Sequence, residues 1–188
     1  MDSLIEKAKQ GDMAAFEQIV IKYQSIIYNT ALKISANTED AYDISQEALL
    51  KIYKNIKYFE GKSKFSTWVY RIVTNTALDY IKKHRKGNVV SLNAEMGEDG
   101  DSYIDNMKDN ALTPQEHLES EETKRLVHQA LDKLNPNHRT VLVLRDINGL
   151  SYEEIAQVLM CSEGTVKSRI NRARNALYEI LSKNKELF

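Results

Sequence analysis

Residues 149–174 constrain the fold of this chain more than any other segment, because they carry the local signals of two helices joined by a tight turn. Ser151 and Glu154 have the spacing of a capping box, in which each side chain bonds to the backbone N–H of the other residue. Residues 160–164 form the predicted turn, and Ser162 stands where it can cap a second helix. The segment therefore predicts a helix-turn-helix.

The second helix of this motif has an apolar side and a polar side. At about 100° per residue, the apolar side consists of Val166, Ile170, Ala173 and Leu177. The other side centres on Ser168, Asn171, Arg172 and Asn175, with Lys167 and Arg174 on its flank and Thr165 in the first turn. The residues that we predict to contact DNA are Thr165, Lys167, Ser168, Asn171 and Arg172. A helix with one side packed on its own domain and a polar opposite side can enter the major groove and contact base edges. A solvated surface helix would also have a basic face, but the agreement of cap, turn and core favours DNA binding.

The charged residues are unevenly distributed, although their sum is close to zero. The chain has 26 Lys and Arg residues and 27 Asp and Glu residues, so its total charge does not indicate a nucleic-acid partner. Residues 62–86 contain seven bases and one acid, whereas residues 87–117 contain seven acids and one base. Residues 165–174 contain four bases and no acid. Two basic patches therefore flank an acidic connector, and each can face phosphate independently.

Apolar residues recur at helical spacing within residues 16–34, 41–56 and 65–76. Further helices are predicted over 126–134 and after Pro136. Because no strand-like alternation persists, the predicted fold class is all-α, with two small helical domains over residues 1–86 and 117–188. Residues 87–116, rich in Gly, Asp, Asn and Ser, predict a flexible acidic linker that leaves the domains uncoupled.

The helix predicted around the 41–56 stripe has an acidic face opposite its apolar side. This face carries Glu39, Asp43, Gln46, Glu47 and Leu50. A solvated acidic face is the usual meaning of such a pattern, but Leu50 and Tyr53 at its border make a protein-docking face at least as good an interpretation. A metal site would need further ligands from other helices, and the sequence suggests none.

Residues 64–86 mix aromatic, hydroxyl and basic side chains, as the binding of unpaired nucleotides requires. Trp68 fits two interpretations equally well, a base-stacking residue and a flank of the core stripe. We expect Lys82 and Lys83 to contact phosphate rather than bases. The residues predicted to bind DNA here are Lys62, Lys64, Ser66, Thr67, Trp68, Arg71, Asn75, Lys82 and Lys83.

Together these motifs resemble the bacterial RNA polymerase sigma factors of the extracytoplasmic-function (ECF) group. The match consists of Asp-x-x-Asp-x-x-Gln-Glu at 40–47, Phe-Ser-Thr-Trp-Val-Tyr-Arg-Ile-x-x-Asn at 65–75, Gly-Leu-Ser-Tyr-Glu-Glu-Ile-Ala at 149–156 and Gly-Thr-Val-Lys-Ser-Arg at 164–169. The resemblance covers nearly the whole chain except the linker.

The resemblance implies a role for each motif in the initiation of transcription. Asp40, Asp43, Gln46 and Glu47 match the motif that docks on the clamp helices of the largest subunit of core RNA polymerase, and we place Leu50 with them. Residues 62–86 match the part that reads and melts the −10 promoter element and holds a flipped-out base. The helix from Ser162 matches the −35 reader. The resemblance also implies an anti-sigma factor that sequesters both domains, and it implies neither catalysis nor a cofactor.

Other function classes stay open at this stage. A one-component repressor or activator would use residues 1–86 as a ligand-binding or dimerisation domain, and an adaptor of two helical bundles would not bind DNA. A small metalloenzyme or hydrolase is disfavoured, because the spacing of the four histidines at 84, 117, 128 and 138 is not that of a metal site.

Features of the whole chain predict its compartment. Cys161 is the single cysteine, which excludes an internal disulfide and is consistent with a reducing compartment. No apolar run has the length of a membrane span, and the N-terminus has no signal-peptide pattern. We therefore expect a cytoplasmic protein that is not inserted in a membrane.

Overall fold

The computed structural model describes residues 1–84 and 125–183, and the all-α prediction is confirmed for them. In chain order the helices are α1 (Asp2–Lys9), α2 (Met13–Ser35), α3 (Thr38–Asn55), a 3₁₀ turn (Ile56–Tyr58), α4 (Phe65–His84), α5 (125–133), α6 (Pro136–Leu142), a π-helical turn (Val143–Ile147), α7 (Tyr152–Leu159) and α8 (Glu163–Lys183). The linker predicted over 87–116 lies outside the described residues.

Helices α1–α4 pack around one core, which is built from the predicted apolar stripes. Asp12 accepts a hydrogen bond from the backbone N–H of Ala15 (3.0 Å), and Asn37 accepts one from that of Asp40 (2.9 Å), so side chains cap α2 and α3. The buried stripe residues are Ile19, Tyr23, Ile27, Ala31, Ile34, Ala41, Ile44, Ala48, Ile52, Ile56, Phe65 and Val69. Helix α1 was not predicted, because it buries too few apolar side chains to show a helical period.

Helices α5–α8 surround a second core and contain the predicted helix-turn-helix. Ser151 Oγ accepts from the backbone N–H of Glu154 (3.1 Å), and Glu154 Oε2 accepts from that of Ser151 (2.9 Å), which confirms the capping box. Met160, with a φ of 50°, turns the chain between α7 and α8. Ser162 Oγ then accepts from the backbone N–H of Thr165 (3.2 Å) and caps α8.

The helix predicted after Pro136 changes its hydrogen bonding halfway. After Leu142 it widens into the π-helical turn, which ends with a bond from the N–H of Asn148 to the carbonyl of Val143 (2.9 Å). Val143 is buried in the core of α1–α4, whereas its neighbour Leu144 is buried in the core of α5–α8. One backbone turn therefore contributes to both domains.

The two domains contact each other around a buried arginine. Arg139 is 3% exposed, and Nη1 donates a hydrogen bond to the carbonyl of Ile34 in α2 (3.0 Å). Its other nitrogens donate to the carbonyls of Leu131, Asp132 and Leu134 at 2.6–2.9 Å. Across the same interface, Asn148 Nδ2 donates to Thr30 Oγ1 (3.2 Å). The expectation that the linker leaves the domains uncoupled is therefore wrong for this structure, since the interface is made by residues outside the linker.

Replacing Arg139 by methionine tests this arrangement. The substitution leaves buried carbonyls of α2 and α5 without their charged donor, so we expect a loss of about 2–4 kcal/mol in the free energy of unfolding. Urea unfolding followed by circular dichroism measures the loss. Lys133→Ala, at an exposed position of α5, is the control and should stay within about 0.5 kcal/mol of the wild type. Equal unfolding midpoints for the two variants would contradict the role given to Arg139.

Candidate nucleic-acid and protein interfaces

The polar face of α8 is presented to solvent, as the sequence predicts. Val166, Ile170 and Ala173 are fully buried on the opposite side, with exposed fractions of 0–2%. Lys167 and Ser168 are exposed, and Thr165, Asn171 and Arg172 are partly exposed. The face is therefore held in place by core packing while its side chains reach the solvent.

The flank of this face is anchored by contacts with the rest of the domain. Arg174 Nη2 pairs with Asp146 Oδ1 at 2.6 Å, and this hydrogen bond raises the pKa of the arginine. The ammonium of Lys167 lies 5.8 Å from the ring centroid of Tyr152, at the start of α7. Asp146 and Arg174 are far apart in sequence, so no local pattern signalled their pairing.

Helix α4 and the loop before it form a cleft of about 470 Å³. The cleft is lined by Tyr58, Phe59, Glu60, Lys62, Ser63, Thr67, Trp68 and Arg71, with Gln157 and Met160 from the other domain. It thus brings together four of the predicted DNA-binding residues, Lys62, Thr67, Trp68 and Arg71. Lys62 also pairs with Glu60, and their hydrogen bond raises the pKa of the lysine. Lys82 and Lys83 are exposed in the last turn of α4, beyond the residues that line the cleft.

Trp68 belongs both to the cleft and to an aromatic cluster. Its ring centroid lies 5.3 Å from that of Phe65 and 5.4 Å from that of Phe59. The side chain is 7% exposed, and that of Thr67 is 3% exposed. The structure therefore places Trp68 beside the core, which is the second of the two interpretations given above. The small exposed part of its side chain lies on the cleft. Ser66 and Asn75 are partly buried on α4.

The acidic face of α3 is exposed and includes apolar side chains. Asp43, Gln46 and Glu47 are exposed, Asp40 is partly buried, and Leu50 is 58% exposed. Two contacts orient its carboxylates. The hydroxyl of Tyr80 in α4 donates to Asp43 Oδ2 (3.1 Å). Lys51, in α3 itself, pairs with Glu47 at 2.8 Å and donates to Thr76 Oγ1 of α4. The sequence analysis missed Tyr80, because its contact with Asp43 crosses between helices. It also missed Lys51, although this lysine follows Glu47 by one turn of the same helix.

Two further findings concern the described residues alone. Within residues 1–84 and 125–183, no group of three or more His, Cys, Asp or Glu side chains is arranged to hold a metal ion. Among the helices in those ranges, none combines the length and the apolar character needed to span a bilayer.

Comparison with known proteins gives concordant matches over both domains. The family model of sigma-70 region 2 matches residues 19–87, and that of sigma-70 region 4 matches residues 124–177. The RNA polymerase sigma-H factor of Pseudomonas aeruginosa is 37% identical over 182 residues, which cover 95% of this chain and 92% of that protein. The ECF RNA polymerase sigma factor SigW of Bacillus subtilis is 38% identical over 174 residues, or 92% of each chain.

A solved structure has a similar fold. It is the sigma factor RpoE of Bartonella quintana in complex with the anti-sigma factor NepR, with a TM-score of 0.61 and 25% sequence identity. The match covers 89% of this chain and 96% of that one.

The capping box of α7 predicts a pH-dependent stability. The bond from the backbone of Ser151, followed by that from Lys64, lowers the pKa of Glu154 below its ordinary value of 4.5. A carboxyl with a lowered pKa in the folded state stabilises the fold above its unfolded pKa, and this stabilisation disappears as the pH falls through the folded value. Glu154→Gln should therefore unfold more easily than the wild type at neutral pH and equally easily in acid. Urea titrations across this pH range measure the difference.

Glu153→Gln removes the neighbouring charge of the same helix turn and is the matched control. Its difference from the wild type should depend less on pH. A pH dependence that is the same for both variants would contradict the assignment to Glu154.

Proposed function

Because this chain belongs to the ECF group of RNA polymerase sigma factors, we propose that it binds core RNA polymerase and directs promoter-specific initiation of transcription. The observation that carries the proposal is that one chain presents two different surfaces suited to nucleic acid. One is the polar face of α8, suited to a duplex, and the other is the basic aromatic cleft beside α4, suited to unpaired bases. In this function the chain binds promoter DNA and positions it on the polymerase, which carries out the catalysis.

The −35 element is read by α8 in the major groove. Ser168, Asn171 and Arg172 lie near the centre of the face opposite the buried Val166 and Ile170, so they are the proposed base readers. Thr165 and Lys167 contact the duplex at the start and the flank of the same face. The capped turn before α8 sets the angle at which the helix enters the groove.

The −10 element is captured as a single strand along α4. We place a flipped-out base in the cleft, where Lys62 and Arg71 supply positive charge and the surface of Trp68 supplies an aromatic wall. Lys64, Lys82 and Lys83 are exposed at the two ends of α4 and follow the phosphates, whereas Ser66, Thr67 and Asn75 offer hydroxyl and amide groups. Binding unpaired bases favours the melted state of the promoter.

Core polymerase docks on the acidic face of α3, through the clamp helices of its largest subunit. Asp40, Asp43, Gln46 and Glu47 supply the charged and polar contacts, and Leu50 supplies an apolar contact. Once docked, the domains that we assign to residues 1–86 and 117–188 are held at a fixed separation. Two weak DNA contacts then act as one bivalent contact, which is stronger than either alone.

An anti-sigma factor regulates the chain in this proposal. The support is the similarity in fold to RpoE of Bartonella quintana, whose structure was solved with the anti-sigma factor NepR. Since both the polymerase and the promoter are in the cytoplasm, we assign the protein to that compartment.

Run-off transcription on a promoter library tests the function as a whole. Purified core polymerase is assayed with and without the chain, and we expect specific transcripts only when the chain is present. A library with no promoter that depends on the chain would refute the proposal.

Reversing the charge of the docking face should prevent binding to core polymerase. Asp43→Lys combined with Glu47→Lys places two positive charges on a surface proposed to meet a basic partner, and like-charge contacts at an interface cost several kcal/mol. We expect at least a tenfold loss of affinity, measured by competition with the wild type for core polymerase. Glu17→Lys with Asp79→Lys, at exposed positions outside this face, changes the net charge equally and should bind as the wild type does.

Two arginines of α8 should differ in their effect on the −35 element. Arg172→Ala should cost about 1–3 kcal/mol on the preferred sequence and relax the preference at one base pair. Arg174, which is held by Asp146 on the flank, is the matched control, and Arg174→Ala should lower binding equally for all sequences. Binding of each holoenzyme to promoters with a randomised −35 element measures both effects. The same sequence-independent loss for both variants would mean that α8 is oriented differently in the groove.

A further inference from the structure

The first turn of α8 carries an acidic side chain that the proposed −35 contacts do not include. Glu163 is the first residue of α8, and it is exposed. Local bonds fix the backbone on either side of it, because Ser162 Oγ accepts from the backbone N–H of Thr165 (3.2 Å) and lies 2.9 Å from the hydroxyl of the same threonine. The backbone of Glu163 is therefore held in place, while its side chain lies in solvent.

The lysine that could neutralise this carboxylate is directed elsewhere. Lys167 follows Glu163 by four residues, and a glutamate and a lysine at this spacing can form an ion pair on a helix. The ammonium of Lys167 lies instead 5.8 Å from the ring centroid of Tyr152 in α7. Arg174, on the same flank of α8, is paired with Asp146 at 2.6 Å. Within residues 1–84 and 125–183, the carboxylate of Glu163 has neither a hydrogen bond nor an ion pair.

Glu163 is placed to approach base edges when α8 enters the major groove. The recognition helix of a helix-turn-helix contacts base edges with its N-terminal residues. At about 100° per residue, Glu163, Lys167 and Asn171 form a row along α8, and this row leads from the first turn toward the centre of the polar face. The groove is thus met first by an unpaired acceptor and then by a base and an amide.

A carboxylate only accepts hydrogen bonds, so it discriminates among the bases. Guanine presents N7 and O6 in the major groove, and thymine presents O4, all of which are acceptors that repel a carboxylate. Adenine N6 donates, but the acceptors adenine N7 and thymine O4 lie on its two sides. Cytosine N4 donates beside the apolar C5–H of its own ring. Cytosine is therefore the base that best satisfies an unpaired carboxylate in the groove.

We propose that Glu163 determines specificity at one base pair of the −35 element by accepting a hydrogen bond from cytosine N4. The inference rests on the proposed function and adds a residue that acts mainly by excluding the other bases. Opposite guanine, thymine or adenine, the carboxylate loses water without gaining a well-placed donor, which weakens binding. Helix α8 thus combines an attractive contact, from Arg172, with a selective repulsion from Glu163.

Selection from a promoter library with a randomised −35 element tests the proposal. Core polymerase carries either the full-length wild type or the variant Glu163→Gln, whose side chain has the same length but also offers N–H donors to acceptors in the groove. We expect the wild type to select cytosine at one base pair and to bind each other base there at least about fivefold more weakly. In the variant this preference should largely disappear, whereas the preferences at the other pairs should persist.

Affinities for two promoters separate base reading from other effects. The promoters differ only in having cytosine or thymine at the selected position. Glu163→Gln should bind the cytosine promoter more weakly than the wild type does, and the thymine promoter more tightly. Glu179→Gln is the matched control, because it removes the same charge from an exposed position about 24 Å further along the same helix. It should bind both promoters as the wild type does.

Several results would overturn the proposal. The same preference at every pair for wild type and variant would mean that Glu163 faces no base. An equal loss on both promoters would assign the carboxylate to the dipole of α8, and an equal gain would place it beside a phosphate. Loss of preference for a base other than cytosine would contradict the hydrogen bond to N4. The proposed function fails separately, if the wild type itself directs no promoter-specific initiation.

Discussion

The arrangement of this molecule depends on the hydrogen bonds that stabilise one buried guanidinium. Arg139 donates to the carbonyl of Ile34 in the last turn of α2 and to carbonyls at the end of α5. Carbonyls at a helix C-terminus have no partner within the helix and carry partial negative charge. Two helix ends from different domains therefore share one guanidinium, which satisfies groups that would otherwise need water. This contact fixes α6, and through α6 the position of the helix-turn-helix.

Local features of the fold were predictable, whereas the contact between domains was not. The capping box at Ser151 and the cap at Ser162 act over three residues, so the sequence displays both partners together. Arg139 and Ile34 are far apart in the chain, and the acceptor on Ile34 is its backbone carbonyl, a group that every residue has. No sequence pattern can mark such an acceptor. For the same reason the meeting of Lys64 with Glu154 appeared only in the structure.

For the candidate site, the sequence could predict which side chains of a helix face solvent, but not their contacts with neighbouring helices. Periodicity separates the polar face of α8 from Val166 and Ile170, because one helix carries both. It could not decide between the two interpretations of Trp68, because the neighbouring Phe59 comes from a loop whose path is not periodic. Nor could it reveal that Tyr80 orients Asp43, since that bond joins two helices. Residue roles that depend on a neighbouring helix require the structure.

The burial of Val143 in the core of the opposite domain makes the interface sensitive to temperature. If the domains separate, this side chain and its apolar neighbours become exposed to water. The free-energy cost of exposing apolar surface to water decreases on cooling. The polar bonds of Arg139 and Asn148 do not share this dependence to the same degree. The contact between the domains should therefore weaken as the temperature falls, so that the interface itself responds to cold.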